Sequence, residues 1–295
     1  MGNDLDLHMH SAYSDDGEFT PTELVRLCRL AGIETMAISD HNCVKANREA
    51  QGEAERLHIQ YIPAVELDCT FHDRDMHLLG YQIRYQSPDF EKVEDHIRTQ
   101  AVGVSLECLR LTMRLGFHIT EDELNAISGK GYWKDVWAGE AFAEVLLHKP
   151  EYLQHEILRP YRTGGVRSDN PYANFYWDYY SQGKPCYAKM NFPSAEEALS
   201  LIKDNGGVAV LAHPGMTLKN DFGLFDDLVA LGMDGVEAYS SYHDRATARH
   251  FCREAQKHAL IVTCGSDFHG KAKPSIQLGK SGCFIPPFFP VRPAR

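Results

Sequence analysis

The chain reads as an α/β barrel interrupted by a helical insertion, and three observations carry that reading. Strand-like and helix-like segments alternate through residues 5–85 and again from Ser194 to Cys264. The apolar segments of both stretches end in histidine, aspartate or glutamate. Between them, residues 88–185 look helical at first and then irregular and aromatic, and read as an inserted helical subdomain. Repeated β-α units with polar residues at the C-terminal strand ends are the pattern of a barrel whose chemistry sits on that face. The expected parts are 1–87 for the first portion of the barrel, 88–185 for the insertion and 186–295 for the second portion.

Leu5-Asp6-Leu7-His8 begins the first strand, and Ser14-Asp15-Asp16-Gly17 is turn chemistry. Thr20-Pro21-Thr22-Glu23 starts a helix: threonine caps, proline fits the first position, and glutamate reaches back to the cap. That helix stops near Gly32, and a second strand at 35–39 closes on Asp40-His41-Asn42. A helix over 44–58 follows, then strands at 61–70 with Glu66 and at 76–83 with His77. In the insertion, apolar residues recur at helical spacing from Val93 to Leu115, and Thr120-x-x-Glu123 offers another capping box. Aromatic residues crowd 172–180. Alternation resumes with a helix at 195–202 and a buried strand at 208–212, which ends in His213-Pro214-Gly215. A helix at 225–231, a strand at 235–238 and a helix at 246–257 lead to a last strand at 260–264. It ends in Gly265-Ser266-Asp267-Phe268-His269.

Composition bounds the function. A chain of 295 residues suits roughly two average domains, or one barrel with an insertion. No apolar run reaches the roughly 18 residues of a membrane span. The start, Met1-Gly2-Asn3-Asp4-Leu5-Asp6, has neither the basic nor the apolar region of a secretory signal. Eight cysteines without a Cys-x-x-Cys pair point to free thiols in a reducing cytoplasm. The net charge of −11 disfavours a stable nucleic-acid partner, which needs a basic surface. It leaves room for a small phosphorylated substrate, because bound metals reverse the local sign.

The polar strand ends collect nine metal-capable side chains: His8, His10, Asp15, His41, Glu66, His77, His213, Asp267 and His269. His8 and His10 are two apart in a strand and share a face. A lone histidine is more often structural than a ligand. Nine such residues at corresponding places in successive β-α units describe a metal site. Nitrogen and oxygen donors without cysteine suit zinc, manganese or iron. Neither Gly-x-Ser-x-Gly nor Gly-x-x-x-x-Gly-Lys-[Ser/Thr] occurs, so no nucleophile elbow or P-loop is expected.

The pieces His8-Met9-His10 with Ser14-Asp15, Ser39-Asp40-His41-Asn42, Val65-Glu66, His77-Leu78-Leu79-Gly80, Ala212-His213-Pro214 and Ser266-Asp267-Phe268-His269 stand in a telling order. This arrangement resembles the polymerase-and-histidinol-phosphatase (PHP) family of metal-dependent phosphoesterases. The resemblance implies a distorted (β/α)7 barrel with three divalent ions, manganese, iron or zinc. It places His8, His10, Glu66 and Asp267 around one ion. Glu66, His77 and a second histidine serve another, and Asp15, His41 and His269 the third. His213 stands between sites, Asp267 is also catalytic, and Asp40 orients a ligand from behind. Such a cluster favours a phosphate dianion and activates water for attack on phosphorus.

The substrate is left to the insertion and one loop. Arg162, Arg167 and Lys184 are the expected holders of a distal phosphate, with Lys130, Lys134 and Arg159 as further cations. Trp133, Trp137, Tyr172, Tyr176 and Trp177 either stack on a base or form the core of the insertion. His243 either contacts the phosphate and protonates the leaving oxygen, or caps the next helix through Asp244. Residues 169–180 resemble the branch that opens cyclic ribose phosphates, and Gly183-Lys184-Pro185 the branch acting on nucleotide phosphates. The expected activity is therefore hydrolysis of small sugar or nucleotide phosphates, with ribose 1,2-cyclic phosphate 5-phosphate as an example. The alternatives are a 3′,5′-bisphosphate or AMP-type phosphatase, a short-oligonucleotide exonuclease, and a non-catalytic metal-binding barrel.

Overall fold

The computed structural model describes residues 4–128, 131–218 and 221–283. Three short parallel strands, β1 (Leu5–Asp6), β2 (Thr35–Met36) and β3 (Gln60–Tyr61), form one sheet. Five more form a second sheet in sequence order: β4 (Ala64–Phe71), β5 (Arg74–Tyr81), β6 (Val208–Leu211), β7 (Gly235–Ser240) and β8 (Ile261–Gly265). Main-chain bonds join the two sheets at both edges. The Leu7 N–H donates to the Cys264 carbonyl at 3.1 Å, and Met9 bridges Phe268. On the other side His41 bridges Glu66, and the Asn42 N–H donates to the Glu66 carbonyl at 2.8 Å. The strand order therefore runs round as in a barrel, from β8 through β1 and β2 to β4.

One stretch departs from the expected parallel repeat. β4 and β5 are antiparallel, and so are β5 and β6. The hairpin turns on His72 and Asp73, whose φ values of 47° and 60° are those a two-residue primed turn needs. Glu66 and His77 are thereby folded onto neighbouring strands of one hairpin.

The helices around the strands are α1 (Pro21–Leu30) and α2 (Ala46–Leu57), then α7 (Ala195–Asp204), α8 (Pro214–Thr217), α9 (Phe222–Leu231) and α10 (Arg245–Lys257). Between α2 and α7 lie α3 (Pro88–Arg114), α4 (Glu121–Ser128), α5 (Gly139–His148) and α6 (Pro171–Tyr179). The capping boxes at Thr20/Glu23 and Ser194/Glu197 form in full, and Thr120 pairs reciprocally with Glu123 ahead of α4.

Among the described hydrophobic clusters, the two largest belong one to the barrel and one to the insertion. Leu67, Leu78, Leu211 and Val236 meet α7, α9 and α10 in the first. Phe142, Leu146, Leu158 and Phe175 build the second. α3 spans both, with Phe90 in the barrel core and Leu109 in the other. Its 27 residues make it about 40 Å long. The insertion is also tied to the strand-end face: Trp133 Nε1 donates to the Tyr13 carbonyl at 2.7 Å, and Lys45 pairs with Glu94 at 2.8 Å. No helix among the described residues is long and apolar enough to cross a membrane.

Candidate metal centre

His8 and His10 follow β1, and both aim Nε2 at the same two oxygens. His8 lies 3.1 Å from Glu66 Oε2 and 3.2 Å from Asp267 Oδ1; His10 lies 3.1 Å from each. All four side chains are buried. The other oxygen of Glu66 faces His77 Nδ1 at 3.1 Å and His213 Nε2 at 3.3 Å. A third group gathers beside these: His269 Nε2 is 2.9 Å from Asp16 Oδ2, and the His10 and His269 rings stack at 3.9 Å. Three overlapping donor sets result, with ligand atoms within 4.8 Å of one another: His8, His10, Glu66 and Asp267; His41, Glu66 and His77; His10, Asp16, His41 and His269.

The charges of these groups depend on one another. Burial pushes the Glu66 carboxyl up, but His8, His41 and His77 outweigh it and hold it well below the usual range. Burial likewise works against charge on His8, yet Glu66, Glu237 and Asp267 raise its pKa well above the ordinary value. His10 goes the other way: burial, then His269, push it down to about 4, so it is a neutral imidazole near pH 7.

These donors fit metal ions on two observations. His10 Nε2 is buried and hydrogen-bonded to nothing although two carboxylates lie 3.1 Å away, and Asp16 Oδ1 is likewise buried without a partner. The second is the chemistry of the histidines. His8 gives its Nδ1–H to Glu237 at 2.9 Å, and His269 gives its own to the Asp267 carbonyl at 2.8 Å. Each Nε2 then faces carboxylate oxygens, a position that a proton or a metal ion can fill. A hydrogen bond from the far nitrogen is how metal-ligating histidines are oriented.

The backbone at two of these residues is itself unusual. His213 and Asp267 have φ of 27° and 57°, in the left-handed region that side chains rarely occupy. Such strain gathers at functional sites, where the surroundings hold it in place.

A PHP domain matches residues 6–154, half of the chain. The chain belongs to the PHP family. It is 26% identical over 287 residues to a 3′,5′-nucleoside bisphosphate phosphatase from Chromobacterium violaceum, covering 93% of this chain and 90% of the relative. It is 25% identical over 268 residues to a phosphoribosyl 1,2-cyclic phosphate 1,2-diphosphodiesterase from Eggerthella lenta, covering 90% and 94%. A 5′-3′ exoribonuclease from Haemophilus influenzae is 28% identical over 297 residues, covering 99% and 98%. A crystal structure from Bifidobacterium adolescentis, assigned as a metal-dependent phosphoesterase, superposes with a TM-score of 0.76. It is 26% identical, covering 94% of this chain and 91% of that one.

Within this PHP centre, several placements differ from the sequence expectation. The carboxylate beside His269 is that of Asp16, while the exposed Asp15 joins none of the three donor sets. Gly17 explains the choice. A Cβ there would fall 2.0 Å from the Ser11 carbonyl oxygen, so the turn closes tightly against Ser11 and directs the residue before the glycine inwards. His213 lies at the centre and reaches Glu66. His243 does not: its Nδ1–H donates to the Ala238 carbonyl, and its Nε2 accepts the Gly215 N–H, both at 2.9 Å. With both nitrogens bound to main chain, this ring clamps the loop after β6 and has no proton to give a leaving group. Helix capping falls to Asp244, which accepts from the Thr247 N–H.

The cations assigned to substrate also lie elsewhere. Arg162 donates to the carbonyls of Leu147 and Tyr152, Arg167 pairs with Asp178 at 3.0 Å, and Lys184 is exposed. All three hold or decorate the insertion, and none borders the cavity over the metal centre. Lys134 and Arg159 are exposed as well, and Lys130 lies outside the described residues.

Three participants escaped sequence reasoning. Asp68 accepts from His41 Nδ1 at 3.0 Å and lies 3.4 Å from His77. It is two residues beyond Glu66 in β4, so the same-face rule applied to His8 and His10 would have found it. Glu237, fully buried in β7, holds His8 and accepts the His213 N–H at 2.9 Å. Its signal was an acid inside an otherwise apolar strand. Lys273 is buried 2.7 Å from Asp267 Oδ2, which also accepts from the Tyr242 hydroxyl. Asp267 Oδ1 is thus left to face His8 and His10. Asp40 accepts from both the Ser11 N–H and its hydroxyl, bracing the loop between the first ligands.

Above the centre lies a cavity of about 860 Å³. Its floor is His41, Glu66, Asp68, His77, His213 and Asp267. Its far side is apolar and aromatic, from α3, α5, α6 and their loops: Ile97, Val104, Trp133, Trp137, Tyr176 and Trp177. Among the described residues, eight carboxylates border it against two cations, Arg74 and Lys273, both ion-paired.

Proposed function

We propose that this phosphoric ester hydrolase cleaves small nucleotides, holding the phosphate at the metal centre and the base in the aromatic half of the cavity. The carrying observation is the cavity itself, which runs from the His/Asp/Glu cluster to Trp137, Tyr176 and Trp177 without a break. Its volume lies within the range of small-molecule sites. A stacked base contributes roughly 1–3 kcal/mol. Among the described residues, the cations that line the cavity, Arg74 and Lys273, are both ion-paired, and Arg162, Arg167 and Lys184 do not border it, so a distal sugar phosphate finds no free cationic cradle there. One relative is named for a nucleoside bisphosphate and another as an exoribonuclease.

Up to three divalent ions would be held by the three donor sets, and manganese, iron or zinc suits those donors. When bound, such ions supply the positive charge a phosphate and its in-line transition state require, and they lower the pKa of water. The protein's own part is positional. Glu237 orients His8, Asp68 orients His41 and approaches His77, and Lys273 with Tyr242 holds Asp267. Trp133 and Trp137 are fixed by hydrogen bonds from their indole N–H groups to the Tyr13 carbonyl and Asn125. All eight cysteines are free thiols, which supports a reducing, cytoplasmic setting.

The test is a substrate panel with the metal-loaded protein: nucleoside monophosphates, 3′,5′-bisphosphates, dinucleotides and ribose 1,2-cyclic phosphate 5-phosphate. The best nucleotide should exceed the ribose phosphate by about tenfold in kcat/KM, the value of one stacked base. A ribose phosphate turned over faster than every nucleotide would refute the reading.

A further inference from the structure

Three tyrosines among the described residues line the cavity, and they differ in what their hydroxyls touch. The Tyr180 hydroxyl shares a hydrogen bond with Thr112 at 2.7 Å, and Tyr187 donates to Asp75 at 2.9 Å. Among the described residues, the hydroxyl of Tyr176 has no hydrogen-bond partner. Its ring is nevertheless fixed. A Cβ on Gly139 would fall 2.6 Å from it, so the start of α5 presses on the ring, and Trp177 meets it edge-on at 5.2 Å.

The acids around that hydroxyl belong to the junction of insertion and barrel. Burial, then Glu140, Asp68, Asp15 and Asp16, push the phenol well above its ordinary value. Two of them stand at the metal centre, Asp68 against His41 at 3.0 Å and Asp16 against His269 at 2.9 Å. Tyr176 therefore keeps its proton near pH 7, and it borders the cavity where the aromatic wall meets the donor sets. Arg74 and Lys273 are ion-paired and Ser181 donates to the Trp177 carbonyl, so the phenol brings an uncommitted O–H to a space rich in acceptors.

A phosphate ester held at the metal centre, with its nucleoside in the aromatic half, lays its scissile P–O bond across that junction. The leaving oxygen is where negative charge grows as the bond breaks. A fixed donor aimed at growing charge favours the transition state over the ground state. We propose that Tyr176 is a further catalytic residue: its hydroxyl donates a hydrogen bond to the leaving oxygen of the ester as the P–O bond breaks. The phenol keeps its proton throughout. A phenolate beside Glu140 and Asp68 is disfavoured by burial and by like charge, so the leaving alcohol takes its proton from water. The inference rests on the placement of phosphate and nucleoside proposed above, and it adds a chemical part to a ring that would otherwise give only contact.

Steady-state kinetics of manganese-loaded wild type, Tyr176→Phe and Tyr179→Phe test this, with the fastest nucleotide of the panel and with p-nitrophenyl phosphate. Tyr176→Phe keeps the ring and loses only the hydroxyl. It should lower kcat for the nucleotide by about 100-fold, with KM within about twofold and manganese content unchanged. The loss on p-nitrophenyl phosphate should stay below about tenfold, because nitrophenolate leaves readily without a donor. Tyr179→Phe, on the same helix but outside the cavity lining, should match wild type. A nucleotide kcat within about fivefold of wild type, an equal loss on both substrates, or a loss confined to KM overturns the role of Tyr176. A wild type that opens ribose 1,2-cyclic phosphate 5-phosphate and cleaves no nucleotide removes the nucleotide reading alone. The cyclic ester also releases an alkoxide, and its kcat in Tyr176→Phe then decides the role by the same limits.

Discussion

The strand ends of the barrel and the wall of the insertion border the same cavity, but different physics builds them. On the barrel side, His8 and His10 beyond β1, Glu66 within β4 and Asp267 beyond β8 are placed by backbone hydrogen bonding, which fixes the register of each β-strand against the next. In the insertion, cavity residues come from α3, α5, α6 and the loops between them, and a core of Phe142, Leu146 and Phe175 sets their positions. Backbone registers leave a periodic mark in the chain; side-chain packing does not. The comparison teaches that the candidate metal donors come from the barrel, while the insertion supplies the apolar and aromatic wall of the cavity.

The most severe way to break that division is to remove the shared ligand. Glu66 faces His8, His10, His77 and His213 with its two oxygens. Glu66→Gln should lower both metal content and turnover by more than the roughly 100-fold seen when outer partners of metal ligands are lost. Metal analysis beside steady-state kinetics checks this, and a variant that keeps its metal and its rate would dissolve the division.

The neighbouring aspartates sharpen the picture at the barrel. Asp16→Asn should reduce turnover by on the order of 100-fold, whereas Asp15→Asn should change it only a few-fold, because only Asp16 reaches His269. Equal losses in the two variants would return Asp15 to the centre.

How much of this was legible follows the same line. The histidine pairs, Glu66, Asp267 and the alternation of elements could be read from spacing, because strand geometry repeats every two residues. Asp16 was misassigned to its neighbour because Asp15 and Asp16 are chemically alike, and only the close approach of Gly17 to Ser11 tells them apart. The antiparallel β4–β5 hairpin was hidden because its turn uses His72-Asp73 in place of an Asn-Gly pair. Arg162 and Arg167 were indistinguishable in sequence from phosphate-binding arginines. Their partners, two carbonyls and Asp178, come from the fold of the insertion. Glu237 and Lys273 reach the centre from strand and loop positions that their types alone do not mark.

A smaller effect probes the insertion. Arg167 pairs with Asp178 on a partly exposed surface, so Arg167→Ala should cost about 1 kcal/mol or less. Its KM should stay within about twofold of wild type, because the side chain does not border the cavity. Thermal melting and kinetics together check both statements; a large rise in KM would place a substrate group near Arg167 after all.

Metal removal tests the central claim most directly. The protein is stripped by a chelator, assayed, and titrated with manganese while bound metal and phosphate release from a nucleotide are followed together. The account predicts that the stripped protein is inactive and that turnover returns in step with metal bound, with Glu66→Gln failing to recover. Full phosphate release by the metal-free protein would contradict it.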